Sequence, residues 1–205
     1  MTGHHWSVDD VSRETSERLE HLVALVEKWN GKINLISKTT EALIWDRHIT
    51  DSAQIFRLAP DNAGHWADFG SGGGFPGLVV AILAHTEKPE LHLSLVESDT
   101  RKCAFLRTAV RELGLKTKVL AKRIEEIEPL HSDVISARAL ASLPKLLGFV
   151  ERHAANSCTA LFPKGKTWEK ELSEARLQWS FRAESIKSIT EPEAVILKLS
   201  EVARV

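Results

Sequence analysis

The chain carries only two cysteines in 205 residues, Cys103 and Cys158, and they stand far apart. Their spacing fits neither a CxxC pair nor a zinc ligand set, and two thiols are too few for a disulfide framework. Both are expected in the core, where free cysteine behaves as a small hydrophobe. Long apolar runs are missing too. The longest, 77–84, falls well short of the ~18 residues that cross a bilayer, and no basic segment leading into an apolar stretch opens the chain. A cytoplasmic protein without a membrane partner is expected. Neither sign of charge dominates, since 27 basic and 28 acidic residues leave a formal net charge of −1. No internal repeat and no low-complexity tract is visible, which argues against solenoids and disorder. Histidines and cysteines never meet at a metal-helix spacing such as HExxH, so no metal is expected. What remains is an ordinary globular composition, 43% hydrophobic and 27% charged. The length exceeds the ~150 residues of a typical domain, which suits one domain with an extension.

Leu19, Leu22, Val23, Val26 and Trp29 recur at helical spacing and predict an amphipathic helix ending near Asn30-Gly31. A second apolar-periodic stretch covers 41–58. The turn residues Pro60-Asp61-Asn62-Ala63-Gly64 then mark a boundary, dividing an N-terminal helical extension, 1–60, from a second domain, 61–205. Beyond it, short β-like runs at 66–69, 91–96, 118–121, 134–136 and 158–162 alternate with helical stretches at 77–84, 101–113, 143–153 and 168–178. An acidic turn occupies 124–127. Two last β-like runs, 182–189 and 194–199, fit an antiparallel hairpin at a sheet edge. Such alternation implies an α/β fold with a parallel sheet and helices on both faces, with ligands at the carboxyl ends of the strands.

The richest segment is Asp68-Phe69-Gly70-Ser71-Gly72-Gly73-Gly74-Phe75-Pro76-Gly77, between a strand and a helix. Glycines at this density cost chain entropy, and they let the backbone turn sharply and a ligand approach the main chain. The segment satisfies the literal GxGxxG pattern of dinucleotide sites, yet no Gly-Lys-Ser/Thr follows, so a P-loop is excluded. A nicotinamide enzyme stays open, with Glu97 as acceptor for ribose hydroxyls. Asp68, an acid just before the glycines, favours S-adenosylmethionine, which carries an amino group and a sulfonium rather than a pyrophosphate. No evident hydride-transfer or proton-relay partner accompanies it.

The loop resembles motif I of the RsmG (GidB) family, bacterial methyltransferases acting on guanine N7 at position 527 of 16S ribosomal RNA. Trp29-Asn30-x-x-Ile33-Asn34-Leu35 and Arg47-His48-Ile49-x-Asp51-Ser52 are similar to that family's N-terminal signatures. Leu95-Val96-Glu97-Ser98, Arg123-Ile124-Glu125-Glu126, Ala137-Arg138-Ala139-x-Ala141-Ser142-Leu143 and Lys164-Gly165 follow in the family's order, so the likeness covers about 29–166. Gly73, Ile36 and Ala137 depart from the family's usual Ala, Thr and Ser. The resemblance implies a Rossmann-like class I methyltransferase sheet with an N-terminal helical extension. It also implies S-adenosylmethionine as cofactor, bound by Gly70, Phe75, Glu97, Ile124, Glu125 and Arg138, beside the loop residues Asp68, Gly72 and Gly74. The implied partner is 16S ribosomal RNA within a small ribosomal subunit or assembly intermediate. Monomer is the default expectation.

Guanine N7 has a lone pair and no proton, so methyl transfer to it needs no general base; proximity and electrostatics carry the catalysis. The sequence suits this, with no Pro-Cys pair, no Pro-Pro-aromatic motif and no Ser/His/Asp arrangement. Arg123, Arg138 and Lys164 are expected at the mouth of the pocket as catalytic residues contacting phosphate or guanine O6. The competing expectation pairs Arg138 with Glu97 or Asp133. Eight basic residues against one acid between 101 and 123 suit either a solvated helix face or a phosphate-binding patch. His48 and Asp51, three apart, predict a local hydrogen bond. Trp29, Trp45 and Trp66 are expected in the core or stacked on a base, and His4-His5 at a loose terminus. Two other readings accompany this one: a methyltransferase of a small molecule or protein, and a noncatalytic nucleotide-binding assembly module.

Overall fold

A computed structural model of the chain describes residues 11–205; His4-His5 lies outside the described residues. The first helix, α1 (Arg13–Asn30), starts where the Ser12 hydroxyl accepts from the Thr15 N–H at 3.2 Å. It buries Leu19, Leu22, Val23, Leu25 and Val26 on one face. A short helix α2 (Lys38–Glu41), a π-helical turn (Trp45–Thr50) and α3 (Asp51–Phe56) complete the helical start.

The chain then alternates. Strands β1 (His65–Phe69), β2 (His92–Glu97), β3 (Thr117–Ala121), β4 (Ser132–Ala137) and β5 (Ala154–Lys164) pair in parallel. Between them run α4 (Gly77–Glu87), α5 (Thr100–Glu112), a 3-10 turn (Ile124–Glu126) and α6 (Leu143–His153), and α7 (Trp168–Ala175) follows β5. The last strands, β6 (Trp179–Lys187) and β7 (Val195–Arg204), form the expected antiparallel hairpin. Because β7 rather than β6 pairs with β5, the order is β3-β2-β1-β4-β5-β7-β6.

Successive strand residues point to opposite faces, and this splits the core in two. Trp66, Leu93, Leu95, Val134, Leu161 and Ile196 face α1, α3, α4 and α5; Ala67, Phe69, Val96, Ile135, Ala160, Phe162 and Leu197 face α6 and α7. Helix α4 lies between the sheet and the N-terminal helices. Residues 77–84 are therefore buried all round, as their unbroken apolar sequence requires. The N-terminal helices share this core, and Leu19, Leu22 and Val26, each fully buried, contribute about 1.5–3 kcal/mol apiece by transfer from water. Cys103 and Cys158 are buried as expected, and burial holds the Cys158 thiol up at about 12. No described helix is long and apolar enough to cross a membrane.

Candidate active site

The strand order reverses at β1, which lies between β2 and β4, so the loops leaving these three strands open into one crevice. The glycine loop occupies it. The N–H groups of Gly70 and Ser71 donate to the Val96 carbonyl at 2.9 and 3.1 Å, which pins the loop to the end of β2. Gly70, Gly72 and Gly74 adopt φ of +65°, +52° and +88°, the left-handed region that favours glycine. A methyl on Gly70 would run into Leu140 and one on Gly74 into Leu78, but one on Gly72 would meet only the Gly70 carbonyl oxygen at 3.6 Å. The main chain at Gly72 is thus open to a ligand.

Glu97 ends β2 with both carboxylate oxygens engaged. One accepts from the Gly72 N–H at 2.9 Å, the other from the Ser98 and Asp99 N–H groups at 2.7 and 2.8 Å. A carboxylate has about four acceptor positions and three are filled, so capacity remains for one hydroxyl donor. Gly70, Gly72, Glu97, Ile124, Glu125 and Arg138 all line one cavity of about 300 Å³, with Leu140 and Phe149 adding apolar wall. The Ile124 carbonyl accepts from Nε2 of the buried His153 on α6, at 3.0 Å, which fixes the turn at that wall.

Asp68, Gly74 and Phe75 are not in this lining; they build the loop from behind. Asp68 is buried, one oxygen accepting from the Ser136 hydroxyl at 2.7 Å and the other from the Gly77 N–H at 3.2 Å. Burial pushes its carboxyl up to about 6, against the opposing pull of Ser136 and neighbouring donors. Phe75 packs its ring on His48, centroids 4.8 Å apart, and beneath the Arg138 guanidinium at 5.5 Å.

A second cavity, about 830 Å³, adjoins the first. Arg138, Ala139, Leu140 and Ala141 line both and form the partition. Ala139 holds φ of +52°, a conformation that costs a non-glycine residue about 1–3 kcal/mol. Among the described residues four carboxylates line the second cavity, each paired with a cation: Asp51 with Arg138 at 3.2 Å, Glu171 with Lys164 at 2.7 Å, Glu193 with Lys166 at 3.1 Å, and Glu191 with Arg47.

The three basic residues expected at one mouth are therefore distributed: Arg123 lines the first cavity, Lys164 the second, and Arg138 both. Lys164 is nearly buried, donating to Glu171 and, at 3.0 Å, to the Ala141 carbonyl. The expected partners of Arg138 are corrected. Asp133 accepts instead from the Gly64 and His65 N–H groups, and Glu97 is held by its own loop. Asp51 takes the guanidinium. His48 likewise bonds not to Asp51 but to Thr40 and Arg138. The basic stretch does not form one patch. Lys102, Lys122 and Arg123 reach the first cavity, whereas Lys116 lies by Leu91 and Leu93 in a separate depression. Trp66 is core, its Nε1 donating to Ser136 at 2.9 Å, and Trp29 and Trp45 pack against the core without lining either cavity. Glu171, His153 and Leu140 escaped sequence reasoning, because nothing in their spacing distinguishes them from surface or core residues.

The first cavity suits a nucleoside with a charged tail. A ribose hydroxyl can donate to Glu97, a flat adenine can lie against Ile124, Leu140 and Phe149, and the open backbone at Gly72 admits close approach. The GidB family model, described as rRNA small subunit methyltransferase G, matches residues 15–197. The chain belongs to the GidB family. It is 55% identical to "Ribosomal RNA small subunit methyltransferase G" of Ruegeria pomeroyi, over 96% of each chain. To the Paracoccus denitrificans protein of the same name it is 50% identical, over 93% of this chain and 96% of that one. In fold it is similar to a SAM-dependent methyltransferase from Aquifex aeolicus, with a TM-score of 0.59 at 15% identity, covering 87% of this chain and 97% of that one. This GidB protein is an S-adenosylmethionine-dependent methyltransferase with a Rossmann-like class I sheet. When bound, S-adenosylmethionine supplies an electrophilic methyl group; the protein's part is to orient it and to exclude water.

Proposed function

We propose that this enzyme methylates N7 of a guanine, position 527, in 16S ribosomal RNA, presented by a small ribosomal subunit or an assembly intermediate. Membership of the GidB family supports the substrate class. The observation that carries the atom is the second cavity, where Asp51, Glu171, Glu191 and Glu193 are each tied to a cation and, among the described residues, no histidine lines the wall. A site of that kind offers hydrogen-bond donors and positive charge, and each of its carboxylates is already engaged with a cation. N7 gives up no proton on methylation, so it is the nucleophile this lining suits; an exocyclic amine or a hydroxyl would need a base.

In this reading Glu97, Gly72, Ile124 and Glu125 hold the cofactor, and Arg123 lies beside its adenine. Arg138, at the partition, donates to the cofactor's polar tail or to guanine O6, the acceptor next to N7. Lys164 is a buttress: by holding the Ala141 carbonyl it fixes the partition past which the base must align. Lys102, Lys122, Arg123 and Lys145 around the first cavity present positive charge to the phosphate backbone. The test is methyl transfer from labelled S-adenosylmethionine to small subunits from cells lacking the protein, with the nucleoside identified by mass. Labelled 7-methylguanosine at one site supports the reading. A label on another base or on protein overturns it, as does no label despite measured cofactor binding.

A further inference from the structure

We infer that His48 and Asp51 are positioning residues for Arg138, and that the π-helical turn Trp45–Thr50 is the device by which the N-terminal extension aims this guanidinium at the partition between the two cavities. The inference rests on the reading of Arg138 as a contact to cofactor or target.

A guanidinium has five N–H donors. Nη1 donates to the Arg47 carbonyl at 3.0 Å and to Asp51 Oδ2 at 3.2 Å; Nη2 donates to His48 Nδ1 at 2.7 Å. The Nε–H and one Nη2–H have no protein partner among the described residues, on a side chain that is 19% exposed and lines both cavities. All three acceptors come from one turn of the N-terminal extension, although Arg138 itself follows β4.

The turn has the geometry this requires. In an α-helix the Asp51 N–H would bond to the Arg47 carbonyl four residues back. Here it bonds to the Asp46 and His48 carbonyls and skips Arg47, whose oxygen meets the guanidinium. Single π-turns of this kind recur at functional sites. The charged donor also defines the imidazole. Because Nδ1 accepts from Arg138, His48 is neutral with its proton on Nε2, which donates to Thr40 Oγ1 at 3.0 Å. Burial and then the Arg138 charge hold His48 down at about 4, so it stays an acceptor at neutral pH. Asp51 is anchored in turn, its Oδ1 accepting from Gln54 at 2.8 Å and from Thr190, in the β6–β7 connection, at 2.9 Å.

Two substitutions separate positioning from bulk. His48→Asn places an amide oxygen near the Nδ1 position and keeps an acceptor for Arg138. His48→Gln places its amide near the Nε2 position, which keeps Thr40 but loses Arg138. Both are assayed for melting temperature, for S-adenosylmethionine affinity by calorimetry and for methyl transfer to small ribosomal subunits. The Gln variant is expected to lose about 10²-fold in kcat/KM, the scale of a misplaced catalytic contact, while the Asn variant stays within about tenfold of wild type at the same melting temperature. In an Arg138→Lys background, His48→Gln should cost nothing more, the mark of residues acting as one unit. Nitrogen NMR of the unmodified protein at pH 6 should show the neutral Nε2–H form of His48. Equal effects of Asn and Gln, full additivity with Arg138→Lys, or a charged or Nδ1–H imidazole would overturn the assignment. If Arg138→Lys alone equals wild type in affinity and turnover, the reading of Arg138 fails first and takes this inference with it.

Discussion

Replacing Asp68 with Asn tests whether the buried carboxyl behind the glycine loop is kept by burial at odds with its own charge. In the fold its carboxyl titrates at about 6 against an ordinary 3.8, because desolvation outweighs the hydrogen bonds from Ser136 and Gly77 and the charge of Arg138. A carboxyl raised in the folded state binds its proton more tightly there than in the unfolded chain. Its contribution to stability is therefore fully present below the unfolded value near 3.8 and is lost as pH rises through about 6. That gap corresponds to about 3 kcal/mol, at about 1.4 kcal/mol per pH unit. Asparagine cannot ionise, so it removes the pH dependence and adds a constant offset for the altered bonds. Urea unfolding of both proteins, followed by tryptophan fluorescence across this range, reads the difference directly. The stability of wild type relative to Asp68→Asn should fall by about 3 kcal/mol between pH 3 and pH 8, most of it between pH 4 and pH 6. A constant difference, or one that grows with pH, would refute the reasoning and show that the hydrogen bonds and Arg138 outweigh burial.

Three further outcomes follow from the same geometry. Gly72→Ala should weaken S-adenosylmethionine binding at least tenfold while costing only about 1–2 kcal/mol of stability, that of a left-handed alanine, since its methyl meets only the Gly70 carbonyl oxygen at an ordinary contact distance; Gly74→Ala should cost more stability than that through its overlap with Leu78, and calorimetry with urea melts separates the two. Lys164→Met should destabilise by about 1–3 kcal/mol, because Glu171, partly exposed, loses its cation and keeps the Leu143 N–H as donor, and adding Glu171→Gln, which removes the unpaired charge and keeps that acceptor, should recover part of the loss in the same melts. Exchanging Lys122 and Lys145 for Glu should lower the slope of log affinity for small-subunit RNA against log salt by about 1–2 and leave calorimetric cofactor binding within a few-fold; an unchanged slope removes these lysines from the RNA path.

Much of the architecture was legible in the residues because it follows from local rules. The alternation of short apolar runs with helical faces, from β1 to α7, is a periodicity that any reader of the chain can count. The loop between Asp68 and Gly77 is legible for a similar reason: left-handed backbone and close approach leave glycine as the residue that fits, so the geometry is written into composition. Even the β6–β7 hairpin showed in its paired runs. The π-helical turn did not, because a periodic apolar stretch looks alike whether its hydrogen bonds step four residues or five.

What the sequence could not disclose is which distant groups meet. The sequence offers Arg138 the acids Glu97 and Asp133, the latter only a few residues away, yet the fold gives it Asp51, 87 residues back along the chain. The run of basic residues is continuous along the chain, yet the helix and strand that carry it place Lys116 away from the cavity that Lys102, Lys122 and Arg123 line. Local signals such as glycine, helical period and strand alternation act over a few bonds and survive in the linear text. Ion pairs, cavity walls and the partition between two cavities depend on where separate elements come to rest, and burial, summed over the whole core, settles that.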